Sequence, residues 1–338
     1  LSGNSDGDRL GSGGSDFAGD GAIEEGGGGS GKYRGAQGLD PRFIEQLEKQ
    51  FGFDRPAHER FFKMLWDYAR FDFGDSFFKG KPVIVFPWIG CGACSLCAAG
   101  NEHLCNKPSA LGIHRDGGFS DHVSVPHPKY LLDYGSLPEE QACTYACSGL
   151  TAWSALKKVA PLGPKDPLLI IGAGGVGLSG IRLARKLFET PPIVVELDKS
   201  KWDIAREAGA GELIDPNADG ALKALMKSTG GVAAVVDFVG AGATFNFGFS
   251  ALRKAGKMVC VGLFGGSTPI VPAMVSMKAV TVMGSYVGSL AEMQELMAIA
   301  KDGSLPNLPL TSQPLSTATD ALADLRAGRI RGRTILTP

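Results

Sequence analysis

No apolar run in this 338-residue chain reaches the ~18–20 residues that a membrane-spanning helix needs. The opening stretch LSGNSDGDRL has neither a basic nor an apolar segment, so it is not a secretory leader. It also lacks an initiator Met, which fits a fragment or a processed product. Charge of either sign is not in excess: 34 Lys and Arg face 35 Asp and Glu, for a net charge of −1. Nothing electrostatic therefore points to nucleic acid or an acidic membrane surface. Seven cysteines are too few for a disulfide scaffold, and four of them crowd between Cys91 and Cys105. Such crowding reads as metal binding in a reducing, cytoplasmic compartment. The length and the 44% hydrophobic content suit about two domains.

Three regions follow one another. Residues 1–38 hold fourteen glycines and almost nothing apolar, so ordering them would cost backbone entropy without return, and a flexible segment is expected. Residues 39–80 read as short amphipathic helices: Asp40 and Pro41 open one and Gly52 stops it, while Phe61, Phe62, Leu65, Trp66 and Tyr68 follow at helical spacing. From about Lys81 onward, Val- and Ile-rich strands alternate with helical patterns, which predicts an α/β protein with a parallel sheet.

FPWIGCGACSLCAAGNEHLC sets Cys91, Cys94, Cys97 and Cys105 in a C-x2-C-x2-C-x7-C pattern. Four thiolates at these steps close a tetrahedral shell around zinc and leave no position for substrate, so the predicted role is structural. An iron–sulfur cluster uses the same ligands and is the competing reading.

PLLIIGAGGVGLSGIRLARKLF reads strand, turn, helix, with Gly172, Gly174 and Gly177 as G-x-G-x-x-G. The first glycine permits the bend, the second lets backbone approach a pyrophosphate, and the third allows helix and strand to pack closely. The next strand ends in Glu196, whose carboxylate suits a ribose 2′-OH and repels a 2′-phosphate, which predicts NAD over NADP. Asp198 is the alternative acid. Further strands are expected at VAAVVDFVG, KMVCVGLFG and VTVMGSYVG.

From PWIGCGACSLC through LGIHRDGGFSDHVSVPHPKYLLD and TYACSGLTAWSAL to the C-terminus, the chain resembles the zinc-containing, NAD-dependent medium-chain alcohol dehydrogenases. The resemblance implies a doubly wound Rossmann domain over 148–288. It would be set into an incomplete GroES-like β-barrel made of 81–147 and 289–338. It implies that Val239, Val261, Gly262 and Ser285 border the cofactor, that Lys201 lies near the ribose, and that Arg333 binds pyrophosphate. Thr151 and Val176 would lie near the nicotinamide. The family's catalytic zinc takes a Cys and a His from an N-terminal piece and a second Cys just before the Rossmann domain. Only the last has a match, Cys147. No cysteine precedes Cys91, and the pair His58-Glu59 lacks the flanking glycines and reads as a solvated helix. His103, His114, His122 and His127 match no catalytic ligand, and Cys143 is expected to be a buried core thiol.

Residues 39–80, with the Gly-rich stretch before them, instead resemble the periplasmic loop of a peptide/microcin C ABC importer permease. The spanning helices of a transporter are absent, so transport is excluded. The expected function is a zinc- and NAD-dependent dehydrogenase of a small alcohol or aldehyde, impaired by the loss of two catalytic zinc ligands, and assembled as a homo-tetramer or dimer. A non-catalytic NAD- and zinc-binding remnant, or a fusion with a permease fragment, are the alternatives. Neither Trp153 nor Phe264 alone defines which alcohol is used.

Overall fold

The computed structural model describes residues 82–120 and 122–338. The expectations for the Gly-rich segment, the permease-like segment and His58-Glu59 lie outside them.

The described chain opens with β1 (Ile84–Val85), followed by the one-turn helix α1 (Ser95–Ala98). β2 (Leu131–Leu132) then returns antiparallel to β1. A short helix α2 (Glu139–Ala142) and a 3-10 turn (Cys143–Ala146) lead into α3 (Ser148–Val159). From there strands and helices alternate: β3 (Leu168–Ile171), α4 (Gly175–Leu187), β4 (Ile193–Val195), α5 (Trp202–Glu207), β5 (Glu212–Ile214) and α6 (Ala221–Thr229). They continue through β6 (Val232–Asp237), α7 (Gly242–Ala251), β7 (Leu252–Cys260), α8 (Pro272–Lys278), β8 (Thr281–Gly284) and α9 (Leu290–Ala300). The chain ends with β9 (Leu310–Pro314), α10 (Ala318–Arg326) and β10 (Arg333–Thr337).

Strands β3 to β8 form one six-stranded parallel sheet in the order β5-β4-β3-β6-β7-β8. This is the doubly wound arrangement predicted from sequence. The strand order reverses between β3 and β6, and that reversal opens the crevice in which dinucleotides bind. The continuous apolar runs LLII and VAAVVD are buried along their whole length because both faces of the sheet are covered. Alternate residues go to opposite faces. Leu168 and Ile170 join one core with Leu150, Leu156, Leu178 and Ile181, whereas Leu169 and Ile171 join another with Leu225, Val235 and Met258. β5, which the sequence reading did not anticipate, is only Glu-Leu-Ile with Glu212 exposed, too short for an apolar period to show.

The GroES-like portion carries the antiparallel pair β1–β2 and the parallel pair β9–β10 among the described residues. Its two stretches of sequence meet at Gln141: the buried side-chain amide donates to the Leu308 carbonyl at 3.0 Å and accepts from the Leu308 amide at 3.1 Å. No helix among the described residues is long and apolar enough to cross a membrane.

Candidate functional site

The Sγ atoms of Cys91, Cys94, Cys97 and Cys105 all lie within 4.8 Å of one another. Cys94 is 3.5 Å from Cys97 and 3.8 Å from Cys105, and Cys91 is 4.0 Å from Cys97. Four thiolates at Zn–S bonds of about 2.3 Å would have mutual spacings of roughly 3.8 Å, so the cage fits a single zinc ion. A cluster of several irons would hold the sulfurs further apart. The cage is shaped by backbone: Gly92 has φ +75°, and a Cβ on Gly90 would fall 2.6 Å from Cys97 Sγ. Amides of Cys91 and Lys107 each donate to Cys105 Sγ at 3.3 Å. Without a cation the Cys91 and Cys97 thiols do not ionise together. Backbone hydrogen bonding at Ala93, then at Cys94, lowers the Cys91 pKa to about 6, while burial pushes Cys97 up to about 12. A divalent ion removes that conflict.

Glu102 braces the lobe from inside. Its carboxylate accepts from Tyr130 Oη at 2.5 Å, Lys129 Nζ at 2.6 Å and the Gly90 amide at 3.2 Å. Burial alone would raise its pKa, but these donors together hold it below the usual glutamate value.

The three glycines after β3 differ in what surrounds them. Gly172 has φ +94°, a conformation natural to glycine. Gly174, the residue that caps α4, faces open space. A Cβ on Gly177 would sit 1.9 Å from the Gly172 carbonyl oxygen, so only glycine fits between turn and helix. Arg333 lies across the start of α4: a Cβ on Gly175 would come within 2.5 Å of its Cδ and 2.8 Å of its Nη1. A helix N-terminus and a guanidinium thus meet at one point, an arrangement suited to a pyrophosphate. Val176 follows, half-buried, in the first turn of α4.

Glu196 is buried at the end of β4. Its carboxylate accepts from the Ala173 amide at 2.6 Å and the Asp198 amide at 2.8 Å, joining the acidic strand end to the glycine turn. Lys201 pairs with Asp198 at 3.5 Å on the same side. Across the crevice, Val239, Val261, Gly262 and Ser285 stand just beyond the carboxyl ends of β6, β7 and β8. The fully buried Asp237 fixes the first of these turns, accepting from the Val239 and Gly240 amides and from Thr244 Oγ1. Gly240 and Gly262 bring two backbones together, since a Cβ on Gly240 would lie 1.9 Å from the Gly262 oxygen.

Cys147 caps α3, and its carbonyl accepts the Thr151 amide at 2.8 Å. The residue is exposed at the surface, and desolvation of its thiol raises the pKa against the Arg333 charge and a hydrogen bond with Thr151. Tyr286 lies close enough that, after burial, the Cys147 charge helps to raise its pKa. The Tyr286 ring meets Trp88 edge-on at 5.9 Å, and Trp88 donates its indole N–H to the Ala146 carbonyl at 3.1 Å. Trp88, Ile89, His103, Leu104, His114 and Tyr286 line a cavity of about 240 Å³ beside the zinc lobe. Neither Trp88 nor Tyr286 belongs to a motif that marks it in the sequence. One correction concerns Cys143, expected in the core. It is exposed, with its thiol donating to the Glu140 carbonyl at 3.3 Å, because the 3-10 turn that begins there directs it outward. Among the described residues, the only group of three or more Cys, His, Asp or Glu side chains close enough to share a metal ion is the four-cysteine cage.

Comparison with known proteins agrees with this geometry. The zinc-binding dehydrogenase family matches residues 175–302, and the alcohol dehydrogenase GroES-like domain matches residues 72–134. The chain is 33% identical over 263 residues to the NAD-dependent alcohol dehydrogenase of Sulfurisphaera tokodaii, covering 77% of this chain and 76% of that protein. It is equally similar, with the same coverage, to the NAD-dependent alcohol dehydrogenase of Saccharolobus solfataricus. Among solved structures, the alcohol dehydrogenase of the hyperthermophilic archaeon Aeropyrum pernix superposes with a TM-score of 0.71 at 29% identity. That match covers 77% of this chain and 76% of the other. The expected likeness of residues 39–80 to a permease loop gains nothing from these relatives, and the GroES-like match begins within that stretch. The four-cysteine cage is compatible with a structural zinc, and the chain belongs to the zinc-binding, NAD-dependent alcohol dehydrogenase family of oxidoreductases.

Proposed function

We propose that this chain transfers a hydride between a small alcohol or aldehyde and NAD, with a catalytic zinc site weakened to one cysteine ligand. The observation that carries the cofactor half is the convergence of Gly174, Arg333 and Glu196 at the start of α4. The 172–174 turn and the Arg333 guanidinium would hold the pyrophosphate, and Glu196 would hold the adenosine ribose with Lys201 beside it. Val239, Val261, Gly262 and Ser285 would border the cofactor, with Val176 near the nicotinamide. When bound, NAD would supply the hydride acceptor, and a catalytic zinc would supply a Lewis acid for the alcohol oxygen. Cys147 is the ligand this chain offers to that zinc, Thr151 sits one helical turn beyond it, and Trp88 and Tyr286 wall the alcohol side.

Impairment is supported by the lack of a second metal-binding group among the described residues and of any cysteine ahead of Cys91. Zinc analysis with a turnover assay tests this. One zinc per chain, tight NADH binding and negligible alcohol-dependent NADH formation are expected; two zinc ions and brisk turnover would overturn the impairment. A remnant that only binds NAD and zinc would bind NADH with no turnover at any zinc concentration. Fusion with a permease fragment is tested by the nucleotide sequence across the junction near Gly80.

The domain limits proposed are 1–38, 39–80, 81–147, 148–288 and 289–338, with a cytoplasmic location. A homo-oligomer, dimer or tetramer, is supported by the outer edge of β8, which has no strand partner among the described residues. Near it Ile270, Val271, Met274, Met277 and Val282 are exposed. Light scattering on the purified chain distinguishes these states from a monomer.

A further inference from the structure

Lys158 lies on α3, the helix that starts at Cys147, and it is partly buried with no carboxylate within ion-pair distance among the described residues. Its ammonium donates instead to two hydroxyls, Ser154 Oγ at 3.0 Å and Ser285 Oγ at 2.9 Å. Taking a cation out of water for neutral partners is unfavourable, so the arrangement calls for a reason beyond packing. The nearby Glu292 makes no ion pair with the ammonium among the described residues; its Oε2 accepts the Ser289 amide at 2.9 Å and the Ser289 hydroxyl at 3.2 Å, capping α9.

What Lys158 holds is the start of residues 285–288, the link between β8 and α9. That link is strained: Val287, buried and β-branched, has φ +41°, a region costly for such a side chain. It is wedged against the same helix, since a Cβ on Gly288 would lie 2.7 Å from Leu150 Cδ1. Ser285 follows the carboxyl end of β8, on the opposite side of the strand-order reversal from Glu196. With the adenosine over β4, a dinucleotide crossing the crevice places its nicotinamide over this side.

We propose that Lys158 is a positioning residue for the nicotinamide end of the cofactor: through the Ser285 hydroxyl it pins the strained 285–288 link, so that its backbone and the Tyr286 ring are set before the cofactor arrives. The inference rests on the cofactor placement proposed above. Lys158 touches no cofactor atom itself and acts through Ser285. Its energetic role is preorganisation of a segment that would otherwise relax toward unstrained backbone.

ADP-ribose shares every part of NADH except the nicotinamide, so the two ligands separate this role from a general loss of structure. Calorimetric titration of the wild type, Lys158→Met and Ser285→Ala with both ligands is the test. The methionine keeps the stem and removes the charge, while the alanine removes the acceptor and guards against a lysine variant that fails to fold. About tenfold weaker NADH binding in both variants, with ADP-ribose binding held within about twofold, is expected for the loss of one charge-assisted hydrogen bond that orders the nicotinamide end. Equal weakening of both ligands, or no weakening of NADH, overturns the proposal. A wild type that binds ADP-ribose and NADH equally well also overturns it, whereas a wild type that binds neither brings down the cofactor reading itself.

Discussion

The Glu196 carboxylate and the Ala173 amide are 2.6 Å apart, so the acid that would receive the adenosine ribose also props the turn that would receive the pyrophosphate. The two halves of the cofactor site are in this way one hydrogen-bonded unit. Glu196→Gln keeps the shape and removes the charge. NADH binding is expected to weaken by about tenfold, with NADPH affected less, because the repulsion of a 2′-phosphate goes with the charge. Fluorescence titration with both nucleotides checks it; unchanged discrimination would place the ribose elsewhere.

Two glycines of the same turn should fail in different ways. Gly177→Ala would put a methyl 1.9 Å from the Gly172 oxygen, so the turn must open and the fold is expected to lose about 1–3 kcal/mol. Gly174→Ala meets nothing, so Tm should hold while NADH binding falls through steric exclusion of the pyrophosphate. Thermal melts beside titrations separate the two.

The stability contributed by Glu102 depends on pH in one direction. Its folded-state pKa lies below its unfolded value, so the contribution is complete above the ordinary carboxylate range and disappears as pH falls through the depressed pKa. Denaturant midpoints measured from pH 7 downward should fall for the wild type and be flatter for Glu102→Gln, which starts lower. Parallel curves for the two proteins would show that another group governs acid sensitivity.

Arg182 is 2% exposed, and among the described residues only its Nη2 has a partner, the Tyr145 hydroxyl at 2.9 Å; Nε and Nη1 have none. Burial accordingly lowers its pKa. Replacing the pair together, Arg182→Met with Tyr145→Phe, removes two unmet donors and leaves no orphaned hydroxyl. A gain of about 1–4 kcal/mol in unfolding free energy is expected. A lower Tm in the double variant would show that the guanidinium has a partner such as buried water.

Much of the fold was legible because parallel strands buried on both faces are written as unbroken apolar runs, as in LLII and VAAVVD. The cage and the glycine turn were legible because their ligands and bends are close in sequence. That Glu196 meets the glycine turn was legible from its distance to Gly172, a spacing set by one helix and one strand. Convergence of remote residues left no comparable mark. Trp88 meets Tyr286, and Lys158 meets Ser285, only because the sheet and α3 bring them together. Cys143 was misplaced because a four-residue 3-10 turn is too short to show which side faces water.

The reciprocal hydrogen bonds between Gln141 and Leu308 span 167 positions of sequence. During synthesis the zinc lobe therefore leaves the ribosome long before the segment that completes its own domain, with the entire parallel sheet translated in between. A nascent chain stopped before Leu308 leaves the Gln141 amide without its native partner, and the lobe must wait while the inserted domain folds. Zinc captured early by the compact cysteine run would give that waiting segment a local anchor, since its ligands need nothing from the C-terminus.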